Sequence, residues 1–534
     1  MTESSRAGHG AAATRMGVAT FASRTIGLAR VFTITAVLGT TYLGNTYQAS
    51  SSFSNVLFEL LAAGALSAVL VPTFVEIFER GEQGEAERLA AGLLGLAAVV
   101  LGTVAIIGMA AAPFLARFLT SGAPTQEIAD QQAELSQFLL YFFIPQIVLY
   151  AFGTVATAVL FARRSFVVPA MAPIANTVLL CGSLALFRVV NGSSTSLDLD
   201  LPAKLILAMG GTLGVLGFVG VPVVALARSG FSLRLRFGSP DPALRRLLHL
   251  SSWAVLQHAG IGILLGAAIV NGNRVEGGVV AYQFAYVAFM APHAILAQPV
   301  YTTIQPSLAL DAAARNTRAF ASRVRWALDS LALLTLPVSA AMVALALPVM
   351  QVLAFGRGQS GAELLAAALA SLALGLFPYC VFLMFARACY SLGDSRTPAI
   401  TAVATAVVGA VTMAVGARLF HGTARVAALG IGHSVAYTLA AAVLWVLMSR
   451  RLHQNLVPRG ALWPLVASVV LGGAAWAAER TANPSGRLET VLVLAVIGLA
   501  GAGVYFGLVR VIGRRTPPGA VMESTLDPDL AEEL

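Results

Sequence analysis

The chain has 534 residues, of which 57% are hydrophobic and only 11% charged, and its mean hydropathy is +0.80. Soluble domains carry about 25% charged residues, so this composition excludes a string of soluble domains and leaves an all-α polytopic membrane protein. The formal charge of +9 does not mark a nucleic-acid binder: the arginines stand singly or in pairs beside apolar runs, and the single lysine, Lys204, follows no Gly-rich loop that could cradle a nucleotide phosphate.

In chain order, residues 1–14 are small and polar and are expected to form a disordered cytoplasmic N-terminus, with no signal peptide after them. About 14 apolar spans follow, at roughly 20 residues per crossing. The first seven cover 15–40, 48–78, 86–118, 131–161, 165–189, 203–228 and 245–271. The second seven cover 278–310, 322–352, 360–390, 397–420, 424–449, 461–479 and 486–511. Residues 516–534 read as an acidic cytoplasmic tail carrying Glu523, Asp527, Asp529, Glu532 and Glu533. Cys181, Cys380 and Cys389 lie in apolar segments without C-x-x-C spacing and read as small buried hydrophobes. With the N-terminus inside, about 23 cations fall in inside loops and about 9 outside, the asymmetry expected when both termini are cytoplasmic.

A faint repeat runs through the spans. Phe161-Ala162-Arg163 ends the fourth and Phe385-Ala386-Arg387 the tenth, Pro169 and Pro398 open the spans that follow, and Pro72 and Pro306 stand near the ends of the second and eighth. The offsets, 224 to 234 residues, correspond to six spans. An even number of crossings preserves orientation, so two parallel six-helix lobes are expected, residues 15–228 and 229–450, with two further helices in 451–515.

Polar residues inside the spans are the informative ones, because an arginine at the bilayer centre costs about 2.5–3.5 kcal/mol on insertion scales. The first span carries Arg24 and Arg30. Six positions separate them, about 9 Å along a helix and about 120° around it, so they can flank one cavity. In the second span Gln48, Ser52, Asn55 and Glu59 fall at i, i+4, i+7 and i+11, one polar face with Glu59 as the natural counter-charge to an arginine. The seventh span holds Gln257 and His258. The eighth holds Gln283, His293, Gln298, Thr302 and Gln305, with kinks expected at Pro292 and Pro299. The repeat makes the seventh and eighth spans partners of the first and second, so these faces are expected to enclose a hydrated cavity between the lobes. Asp198-Leu199-Asp200 is formally a D-x-D, but its loop faces away from the cytoplasm, and H-E-x-x-H and G-x-S-x-G are absent. No metal or cofactor is expected.

Ser23-Arg24, Gly27-Leu28-Ala29-Arg30, Phe58 to Leu61, Ala63 to Ala68 and Val71-Pro72 together resemble the opening of the lipid II flippase family, MurJ/MviN, of the multidrug/oligosaccharidyl-lipid/polysaccharide exporter superfamily. Gln305-Pro306-Ser307-Leu308 resembles that family's end to the eighth helix. The resemblance implies a bacterial plasma-membrane transporter that is not an enzyme and that carries an undecaprenyl-diphosphate sugar outward by alternating access. It also implies that Arg24 and Arg30 face the cavity and contact the diphosphate, and that Asn55 matches an asparagine of the second helix. The chain departs from the family pattern where Asn45 replaces an acid, Phe58-Glu59 an arginine pair, Ala63 a glutamate, and Tyr286-Val287 an Asp-Arg. Two other functions fit the same residues: a cation-coupled drug or polysaccharide exporter with Glu59 as its protonatable group, and a non-transporting scaffold that recruits cell-wall synthesis machinery. The partners expected are the lipid-linked substrate, membrane lipids and that machinery, and not nucleic acid.

Overall fold

The structure, a computed structural model, describes residues 29–58, 64–192, 194–237, 242–458 and 460–513. Helices α1 (Ala29–Leu38), α2 (Tyr42–Phe58), α3 (Gly64–Glu79), α4 (Gln83–Ala110) and α5 (Ala112–Thr120) open the chain. They are followed by α6 (Gln126–Phe143), α7 (Gln146–Ala162), α8 (Val167–Val190) and α9 (Leu201–Arg228). The next set is α10 (Pro242–Gly272), α11 (Gly278–Pro292), a π-helical turn (His293–Ala297), α12 (Gln298–Ala313), α13 (Thr317–Ala344) and α14 (Ala346–Leu353). After a 3-10 segment (Gly356–Gly361) come α15 (Ala362–Ala373), α16 (Leu376–Ser391), α17 (Arg396–Leu419), α18 (Gly422–Leu452), α19 (Leu462–Ala482) and α20 (Arg487–Gly513).

Among the described residues, 11 helical stretches are long and apolar enough to cross a membrane, and a twelfth crossing is the pair 356–373 and 376–391, bent by 44°. The chain is a multi-pass α-helical membrane protein. The described helices in the region of the first two spans read from the sequence, 15–40 and 48–78, are α1 and α2–α3, which adjoin residues outside the described ones and are not among those twelve.

Several crossings are broken where the chemistry of the chain demands it. Pro113 stands in the first turn of α5, and Pro145 immediately precedes α7, each withholding an amide from the helix before it. The kink expected at Pro292 and Pro299 takes the form of the π turn between them, where the regular ladder cannot continue into a residue lacking N–H.

Packing divides at the middle of the chain. One large buried cluster is drawn from residues between Leu264 and Leu456, and smaller ones from residues between Ile34 and Phe231. A further cluster joins Ala49, Leu101 and Ile147 to Ile269 and Val279, where α2 and α5 meet α10 and α11. Helices α19 and α20 lie against α13 and α14 and leave Leu462, Val469, Leu488, Val496 and Leu499 exposed. Such a surface is stable against acyl chains and would associate in water. Cys380 and Cys389 are buried free thiols, and the half-buried Cys181 donates to the Thr33 hydroxyl at 3.3 Å, packing α8 on α1.

Candidate functional site

The polar face of α2 meets the other half of the chain. Asn45 is fully buried, and its Nδ2 donates to Asn273 Oδ1 at 3.2 Å and to the Val275 carbonyl at 3.0 Å. Its Oδ1 accepts from the backbone amides of Val279 (3.0 Å) and Val280 (3.3 Å). These are the second and third residues of α11, whose own preceding residue, Gly277, offers no side-chain cap. A helix start leaves such amides unpaired, and a side-chain oxygen at this position is the usual remedy. Here it comes from the opposite half. Asn273 and Gln132 complete the cluster by exchanging bonds, Asn273 Nδ2 to Gln132 Oε1 at 2.8 Å and Gln132 Nε2 to Asn273 Oδ1 at 3.0 Å. Two turns further along α2, Ser52 accepts from Gln283 Nε2 of α11 at 2.6 Å.

The same end carries a second clasp. Arg357, in the 3-10 segment, donates through Nη1 to the carbonyls of Val37 and Ser194 and through Nη2 to that of Gly192, each at 3.0 Å. The guanidinium is protonated, and the three carbonyl dipoles face its charge. Close backbone approach makes this possible. Gly277 has φ +73°, and a β-carbon there would stand 2.5 Å from Thr40; one on Gly361 would overlap the Thr40 side chain.

The remaining predicted residues are distributed as follows. Arg30 is half-buried on α1. Gln48 is buried one turn before Ser52 on α2. Gln257 accepts from the Tyr390 hydroxyl, and His258 beside it is half-buried. Gln298 accepts from Arg387 Nη2 at 3.2 Å. Arg24, Glu59 and the side chain of Asn55 lie outside the described residues, and with them the expected pairing of Glu59 to an arginine. The structure thus brings Ser52 to α11 at the seam, with Gln48 buried one turn before it on α2, while Gln257 and Gln298 both turn toward α16. Gln132, Asn273 and Arg357 were not singled out from sequence, although Asn273 stands 228 positions after Asn45, inside the range of the repeat offset. Asp198 and Asp200 are exposed, and among the described residues no group of three His, Cys, Asp or Glu is placed to hold a metal.

Comparison with known proteins adds the following. A family model described as "Lipid II flippase MurJ" matches residues 34–495. A Rhizobium tropici protein named "Probable lipid II flippase MurJ" is 26% identical over 513 residues, covering 93% of this chain and 93% of its own. A solved lipid II flippase MurJ in an inward closed conformation aligns with a TM-score of 0.71 at 15% identity, covering 92% of this chain and 99% of that one. An inward-facing multidrug resistance transporter of the MATE family, in the MOP superfamily, aligns with a TM-score of 0.64 at 15% identity, covering 83% and 98%. At such identity these two likenesses are of fold.

Proposed function

The chain belongs to the lipid II flippase MurJ family, and from that premise we propose that it carries an undecaprenyl-diphosphate-linked cell-wall precursor from the inner to the outer leaflet of a bacterial plasma membrane by alternating access. It is a transporter and not an enzyme. Two parallel lobes, residues 15–228 and 229–450, rock against each other, and both termini are cytoplasmic, the orientation the arginine bias supports. In that orientation the Asn45–Asn273 seam closes the outward end. Arg24 and Arg30 hold the diphosphate, and Gln48, Ser52 and Asn55 meet sugar hydroxyls once the seam parts. An inside-negative potential favours outward movement of an anion by about 2.3 kcal/mol per charge per 100 mV, so no nucleotide is required. The loops and the tail are the surfaces for cell-wall synthesis machinery.

The observation that carries this reading is the direct bonding of residues one repeat apart: Asn45 with Asn273, 228 positions on, and Ser52 with Gln283, 231 positions on. Groups related by a two-fold axis touch one another only beside that axis. A small rotation of either half therefore breaks these bonds together. Each neutral bond is worth about 0.5–1.5 kcal/mol net, and water replaces it without stranding a charge, as a reversible gate requires. The test is complementation of a flippase-depleted bacterium. Rescue by the chain, lost in the Arg24→Ala/Arg30→Ala double variant, is expected; a well-expressed chain that restores no growth contradicts the proposal.

A further inference from the structure

Arg387 lies one turn from the end of α16, in the second copy of the Phe-Ala-Arg repeat. Its Nη1 donates to Gln305 Oε1 at 2.7 Å and its Nη2 to Gln298 Oε1 at 3.2 Å, and its guanidinium carbon lies 4.9 Å from the centre of the Tyr301 ring. Gln298, Tyr301 and Gln305 follow one another at i, i+3 and i+7 along α12, so one helix face cradles the cation. The cradle is neutral throughout. Among the described residues Arg387 makes no ion pair, whereas Arg323 and Arg451 of the same half are matched to Asp311 and Asp394. A half-buried guanidinium held by two amide oxygens and a ring keeps a positive charge that no acid among the described residues pairs.

The surroundings favour an anionic visitor. Span eight begins at the seam with α11, where Gln283 bonds Ser52, and α12 continues it past the π turn toward the opposite end. On α12, Thr302 and Thr303 are exposed next to the Gln298–Gln305 face, their hydroxyls donating to the Gln298 and Pro299 carbonyls of the same helix. Two bonds occupy two of the five guanidinium N–H groups. A phosphate is the planar fork's best partner, and its charge-assisted bonds are roughly twice as strong as those to an amide oxygen, so it can displace the glutamines where a resident carboxylate would have competed.

We propose that Arg387 is a substrate-binding residue, the contact of the C-terminal half with the diphosphate of the transported lipid, held ready by Gln298 and Gln305. This rests on the transport reading above and adds a cation from the C-terminal half to Arg24 and Arg30 of the first span. The first copy of the repeat differs: Arg163 sits 5.1 Å from the centres of both the Phe78 and Phe231 rings and donates to Ser229 at 2.9 Å, a clasp on the segment after α9.

The experiment measures undecaprenyl diphosphate binding to the full chain in nanodiscs, with inorganic pyrophosphate as a second probe. Arg387→Gln is expected to weaken lipid binding about ten-fold or more, and Arg387→Lys, which keeps the charge without the fork, by less. Pyrophosphate should compete with the lipid for the wild-type chain and lose that ability in parallel. Equal lipid affinity in wild type and Arg387→Gln overturns the assignment; if that variant does not fold, equal affinity in Arg387→Lys does so. Pyrophosphate binding without lipid binding assigns the site to a free anion and also overturns it. A wild-type chain that rescues flippase-depleted cells while Arg387→Gln binds lipid normally sinks only the role of Arg387. Failure of the wild type both to bind and to rescue sinks the transport reading itself.

Discussion

Asn45 uses its carboxamide in both directions, donating to Asn273 and Val275 and accepting from the Val279 and Val280 amides of α11. An aspartate there keeps the acceptor, loses both donors, and turns a carboxylate toward the oxygens that Nδ2 had satisfied. Asn45→Asp is therefore predicted to weaken the closed seam by about 1–3 kcal/mol. The readout is faster labelling of a cysteine placed at Thr40 by a membrane-impermeant maleimide, and an unchanged rate would count against the role given to the amide. Arg357→Ala removes three carbonyl bonds at the same end and is predicted to raise that rate too, with Arg357→Lys intermediate because an ammonium cannot span the same carbonyls as a fork. The polar face of α2 was legible in the sequence, since Gln48 and Ser52 recur at helical spacing on an apolar background. What it meets was not legible. Gln132 stands among Asp130, Gln131 and Glu134, and Asn273 among Asn271, Arg274 and Glu276, so neither amide stands out from its polar neighbours, and the expected open cavity is, at Ser52, a closed contact.

At the scale of the element, α17 owes its start to Asp394. Oδ1 accepts from the Thr397 amide at 3.0 Å, while Oδ2 accepts from the Thr397 hydroxyl and from Arg451 Nη1, each at 2.8 Å. Burial pushes the carboxyl up, but these bonds outweigh it and hold Asp394 below its usual range. A depressed folded value means that the contribution is complete above the ordinary aspartate pKa of about 3.9 and is lost as the pH falls through the folded value. Asp394→Ala is predicted to cost about 1 kcal/mol, the usual worth of such a cap. Thermal unfolding in detergent should show the variant's deficit at pH 7 shrinking as the medium is acidified below pH 4. A deficit that stays constant across that range would contradict the assignment. Prolines 292 and 299 announced a break in the eighth span because their chemistry is local. That the break is a π turn depends on how α11 and α12 pack on their neighbours, which no local pattern carries.

Across the whole molecule, the membrane class and the sequence of spans follow from hydropathy and from arginine placement, both of which sum over many residues and tolerate local error. The break at Leu374–Gly375 was hidden because a broken crossing is as apolar as a straight one. The repeat was read only from a few motifs at offsets of 224 to 234 residues, and the bonded pairs Asn45–Asn273 and Ser52–Gln283, 228 and 231 positions apart, fall within that range. Transport as proposed requires this seam to open and close in every cycle. The direct measurement is translocation of a lipid-linked precursor by the Ser52→Cys/Gln283→Cys double variant in vesicles, with cross-link formation followed by gel mobility. Cross-linked protein is predicted to lose translocation and to regain it on reduction; translocation that continues while the two cysteines are joined would contradict the account.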